Sequence, residues 1–146
     1  MSSLPNNSKA QVPWSTGLCD CFSDRRTCLM SCCCPCVIFG RITEIVNKGK
    51  ISNATSGVLY VALSCLVGPC LYSAPIRSKL RNEYNVKGTR GQDCLVHCFC
   101  EPCALTQEYR ELQSRGFDMK LGWEENMEKQ NRPVATAPVV EIGMKR

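Results

Sequence analysis

The chain has 146 residues, thirteen of them cysteine, and a formal net charge of +5 from 18 Lys+Arg against 13 Asp+Glu. That length allows one modest domain and excludes two independent ones. The basic excess is spread out, with no basic run and no aromatic–basic interleaving, so nucleic acid is not an expected partner.

Taken in order, residues 1–13 are rich in Ser, Asn and Pro and read as a disordered lead-in without the apolar core of a signal peptide. The main domain is expected over 14–126, and a second disordered segment over 127–146. Asp24-Arg25-Arg26 precede an uncharged stretch from Thr27 to Gly40 that holds Cys28, Cys32, Cys33, Cys34 and Cys36. At 14 residues it falls short of the roughly 20 that a helix needs to span a bilayer, so a re-entrant or interfacial segment is expected. From Val37 the spacing becomes helical. Ile38, Ile42, Ile45 and Val46 share one face, Arg41, Glu44 and Lys48 the other, and Gly49 marks the stop.

Residues 51–76 carry no charge. Within them Ala54 to Ala74 would reach about 31 Å as a single helix, enough to cross a membrane. Gly57, Ser64 and Gly68 are small enough for close helix–helix approach in lipid; Pro69 predicts a kink and Pro75 the end. The second cysteine cluster follows, with Cys94, His97, Cys98, Cys100 and Cys103. It leads into a second amphipathic helix with Leu105, Tyr109 and Leu112 on one face, stopped at Gly116. Glu108 is expected on its solvated side, and Phe117 to Trp123 against a surface or interface. The fold class is therefore a small, mainly α membrane protein. It would have one transmembrane helix, a short re-entrant or interfacial cysteine segment, amphipathic helices and Cys-rich turns.

A shift of 67 positions superposes the two clusters. Cys33, Pro35 and Cys36 fall on Cys100, Pro102 and Cys103, Glu44 on Glu111, and Gly49 on Gly116. This pattern predicts a duplicated unit, a thiol turn leading into an amphipathic helix.

Thiolates are soft ligands suited to zinc, cadmium and copper(I), and imidazole suits zinc. Candidate metal ligands are Cys28, Cys33, Cys34, Cys36, Cys94, His97, Cys98, Cys100 and Cys103. Glu44 and Glu111, matched in the repeat, are candidates for a cation path. S-palmitoylation near the apolar segment is an alternative use of Cys32, Cys33, Cys34 and Cys36. An odd cysteine count and the Cys32-Cys33-Cys34 run speak against a disulfide framework. No phosphate-binding loop, H-E-x-x-H or G-x-S-x-G occurs, so no enzyme is expected and no cofactor is required.

Cys28-Leu29, four residues, then Cys34-Pro35-Cys36 resembles the C-L-x4-C-P-C signature of the plant cadmium resistance family. Those proteins belong to a wider cysteine-rich group that includes the fruit-weight and cell-number regulators. The resemblance also runs through Trp14 to Cys21, Phe39-Gly40-Arg41, Glu44-Ile45-Val46, Ala104 to Leu112 and Gly116 to Met119, covering about Trp14 to Met127. It departs at Cys98-Phe99-Cys100-Glu101-Pro102-Cys103 and at Gly68-Pro69-Cys70. It implies a plasma-membrane protein that limits cadmium accumulation and, in some members, moves zinc out of cells. It further implies that Cys28, Cys34 and Cys36 matter for resistance. The partners expected are membrane lipid, soft divalent ions (Zn²⁺ or Cd²⁺, as ligand or substrate) and further copies of the chain, since one spanning helix cannot enclose an ion path. Two alternatives stand beside efflux: passive chelation at the membrane, and a cell-number-type regulator with structural zinc.

Overall fold

A computed structural model describes residues 11–131 as seven α-helices. The lead-in expected over 1–10 and the tail from 132 lie outside the described residues. A short 3-10 turn (Leu18–Ser23) precedes α1 (Arg25–Cys33) and α2 (Pro35–Val46). Then come α3 (Asn53–Leu66), α4 (Pro69–Glu83), α5 (Arg90–Phe99), α6 (Glu101–Ser114) and α7 (Trp123–Asn131). Local chemistry sets several starts. Asp24 accepts from the Thr27 amide at 3.1 Å, Ser52 accepts from the Thr55 amide at 3.2 Å, and Thr89 with Gln92 forms a reciprocal capping box.

The core forms where α2 and α6 meet. Ile38, Phe39, Ile42, Ile45 and Val46 of α2 pack with Leu105, Tyr109 and Leu112 of α6, joined by Tyr60, Leu80 and Met119. These are the apolar faces expected from helical spacing. Gly40 lets α2 and α3 touch, because a Cβ there would sit 2.3 Å from Asn53 Oδ1. Gly57 meets Cys36 of the same chain, so this small residue serves packing within one molecule.

The duplicated unit is visible in the backbone. Each half is a helix that breaks at one cysteine and restarts on a proline-containing turn. Cys34 (φ −134°, ψ 63°) and Cys100 (φ −148°, ψ 75°) hold the same conformation, and each donates its amide 2.8 Å back to a carbonyl, Met30 and Val96 respectively.

Five expectations change. The apolar stretch 54–74 is two helices. Gly68 takes φ +95°, a left-handed value that glycine adopts at low cost, and Pro69 then starts α4 where its missing N–H is harmless. Pro75 lies inside α4 and does not end it. Among the described residues no single helix is long and apolar enough to cross a membrane; α1 and α2 together pass by length and composition but meet at 107°. Residues 127–131 belong to α7, which the buried Asn126 ties to the preceding loop through Asp118, Leu121 and Gly122. Phe117 and Trp123 pack against the protein's own core, where an external surface was expected.

Apolar side chains also face outward. Val58, Leu66 and Phe99 are 70 %, 78 % and 85 % exposed, with Val61, Val67, Leu71 and Leu95 exposed as well.

Candidate metal centre

Helix α5 places Cys94 and Cys98 four residues apart, hence on one face. The antiparallel packing of α4 against α5 brings Cys70, the second residue of α4, to the same point. The three Sγ atoms lie within 4.8 Å of one another. Cys70 and Cys94 are half-buried and Cys98 is exposed. A hydrogen bond to Cys70, helped by desolvation and by Cys94, pushes the Cys98 thiol up to about 12. Its neighbours thus hold the Cys98 thiol in the protonated form, and a divalent ion would displace that proton. Three sulfurs and an open side match the pattern of metal sites that keep an exchangeable position.

Of the sequence candidates, only Cys94 and Cys98 join this cluster. Cys70 was missed, because its partners lie on another helix and only the α4–α5 pairing reveals it. Cys33 and Cys34 are exposed near the α1–α2 break, and Cys28 and Cys36 are half-buried. Among the described residues these four do not converge into a second cluster. Cys100 and Cys103 are joined to each other as a disulfide. The short loop at the start of α6 sets their Cα atoms 5.3 Å apart, within bridging range. Closed this way, the pair offers no thiolate.

His97 points elsewhere. Its Nδ1 lies 2.6 Å from Glu101 Oε2, and its Nε2 lies 3.1 Å from Glu108 Oε2, an ionic contact without hydrogen-bond alignment. Desolvation opposes the charged ring, but the Glu108 carboxylate and the hydrogen bond to Glu101 outweigh it and raise His97 to about 9. Glu108 is fully buried, against the expected solvated position. Its charge is tolerated because it belongs to a balanced network. Arg77 reaches Asp93 at 3.3 Å and Glu108 at 3.6 Å, and Arg81 reaches Asp93 at 3.1 Å. With His97 protonated, three cations (Arg77, Arg81, His97) face three carboxylates (Asp93, Glu101, Glu108). Glu101 also accepts from Tyr60 and Ser73 at 3.1 and 2.9 Å, and Arg77 lies 4.1 Å over the Trp14 ring. The network locks α4, α5 and α6 together behind the thiols.

Glu44 and Glu111 also hold structure. Glu44 accepts from the amides of Asn53 at 3.1 Å and Trp123 at 2.9 Å. Glu111 accepts from the Ser15 amide at 2.7 Å and from Arg115 at 2.9 Å. Each carboxylate of the repeat thus anchors an incoming chain segment.

A sequence profile of the PLAC8 family matches residues 14–111. The chain is 48 % identical over 141 residues to Protein PLANT CADMIUM RESISTANCE 2 of Arabidopsis thaliana, covering 94 % of this chain and 93 % of that protein. It is also 48 % identical over 141 residues to Cell number regulator 1 of Zea mays, covering 91 % of this chain and 74 % of that protein. No solved structure matches.

Proposed function

This chain belongs to the PLAC8 family, among relatives named for plant cadmium resistance and cell number regulation, and on that premise we propose that it handles soft divalent metal ions at the plasma membrane. The observation that carries this reading is the convergence of Cys70, Cys94 and Cys98 within 4.8 Å. Zn²⁺ or Cd²⁺ is captured by these thiolates at a site with an open side, which suits capture followed by release. The exposed apolar residues of α3, α4 and α5 support contact with lipid. One chain encloses no path, so movement of metal out of the cell requires a homo-oligomer. The exposed thiols near Cys34 then serve as a separate collecting point.

A flux assay tests the reading. Purified protein in proteoliposomes should move Cd²⁺ or Zn²⁺ continuously, and Cys98→Ser should abolish that movement. Uptake that stops at stoichiometric occupancy would instead make the protein a chelator. A second reading follows from the equal identity to a cell number regulator, namely that metal on the three thiols is structural and fastens α4 to α5. In that case removing metal would unfold the helix pair, whereas the handling role requires a fold that persists without it.

A further inference from the structure

Two of the three thiols, Cys70 and Cys94, line a groove of about 650 Å³ between α4 and α5, together with Ser78, Lys79, Asn82 and Arg90, and the Cys98 sulfur lies within 4.8 Å of theirs. That volume falls in the range of about 300–1,000 Å³ typical of small-molecule sites. Its charges are not balanced. Arg90 forms no ion pair among the described residues, and Lys79 meets only the Asn47 amide oxygen. The one acid in the lining, Glu83, is already paired with Lys48 at 3.0 Å. Two cations are thus left facing the groove.

Distance along the helices bounds the ligand's length. Lys79 follows Cys70 by nine residues of α4, about 14 Å, and Arg90 precedes Cys94 by four residues of α5, about 6 Å. An extended tripeptide of about 10 Å exceeds the Arg90 separation and falls short of the Lys79 one, so Lys79 meets such a ligand through its long, flexible side chain. The open coordination position needs one more soft donor, and no fourth Cys, His, Asp or Glu among the described residues supplies it.

Resting on the metal-handling reading above, we propose that this groove takes the metal as a complex with a small thiol bearing carboxylates. The ligand's sulfur completes the coordination, and its carboxylates lie against Lys79 and Arg90. The exchange balances. A divalent ion held by two small thiolates meets three protein thiols, and one small thiol leaves as RSH with one of their protons. The other two protons pass to solvent. A four-sulfur centre of net charge −2 remains, and the same two cations favour it.

The test uses the full chain in detergent, Cd²⁺, glutathione (a tripeptide thiol with two carboxylates) and cysteamine (a thiol with none). Cadmium NMR reads the number of sulfurs bound, and competition titration reads affinity. Glutathione should convert a three-sulfur signal to a four-sulfur one and tighten Cd²⁺ retention more than cysteamine does. The double variant Lys79→Ala/Arg90→Ala should reduce that advantage by about three- to tenfold, as expected for two exposed charge contacts. Equal effects of the two thiols, or a double variant that keeps the advantage, would overturn the groove proposal and leave metal binding standing. If Cys70→Ser and Cys98→Ser leave Cd²⁺ binding unchanged, the metal-handling reading falls, and this inference with it.

Discussion

His97 Nε2 lies 3.1 Å from Glu108 Oε2 with both side chains fully buried, while the ring's other nitrogen is held by Glu101. Because two buried carboxylates, Asp93 and Glu108, and the half-buried Glu101 face only two arginines, the imidazole is protonated in the fold as the third cation. The folded-state value of about 9 is above the ordinary value of 6.5. The contribution is therefore fully present below about pH 6.5 and is lost as pH rises through about 9, an effect on the order of 3 kcal/mol. Denaturant unfolding at pH 6 and pH 9.5 should show this loss in wild type. His97→Gln should flatten that part of the profile; an unchanged slope in the variant would contradict the charge assignment.

Arg77 sits at the centre of the same network, 4 % exposed, within reach of Asp93 and Glu108. Truncation by Arg77→Ala removes a cation shared by two buried carboxylates, leaving Asp93 with Arg81 and Glu108 with His97, and should cost about 3–5 kcal/mol. Chemical denaturation measures it. A loss below about 1 kcal/mol would mean that water reaches these groups.

The α2–α3 contact is tight enough to test by one methyl group. Gly40→Ala places a Cβ 2.3 Å from Asn53 Oδ1 and 2.5 Å from its carbonyl oxygen, and should destabilise by about 1–3 kcal/mol. Gly91→Ala in α5 meets nothing nearer than 3.9 Å and should be neutral or stabilising by at most about 1 kcal/mol. Thermal melts of the two variants should move apart; parallel shifts would show that the helices can separate at Gly40.

Alkylation kinetics read by peptide mass spectrometry would separate the thiol classes. Cys32, Cys33 and Cys34 are exposed and should label first, while Cys100 and Cys103 should label only after reduction. Cd²⁺ should protect Cys98, although it is exposed. Labelling of Cys103 without reductant would contradict the bridge.

How far residues alone reach differs by element. The faces of α2 and α6 were legible because Ile38, Ile42 and Ile45, and Leu105, Tyr109 and Leu112, recur at helical spacing. The repeat was legible from Cys, Pro, Glu and Gly at a constant shift, and the matching caps at Cys34 and Cys100 bear it out. The break at Gly68-Pro69 was read as a kink because hydropathy stays high across it and does not register the left-handed residue that ends one helix before the next. Glu108 reads as a solvent residue, since its cations come from α4 and from the preceding helix. Cys70 carries no local signal at all; its role exists only where α4 crosses Cys94 and Cys98.

The central claim is that these three thiols form one soft-metal site. Cadmium titration of wild type, Cys70→Ser, Cys98→Ser and Cys32→Ser, followed by metal-competition affinity, tests it most directly. Loss of either clustered thiol should weaken Cd²⁺ binding at least about tenfold, or 1.4 kcal/mol, while Cys32→Ser should not. Equal affinities across all four proteins would contradict the site.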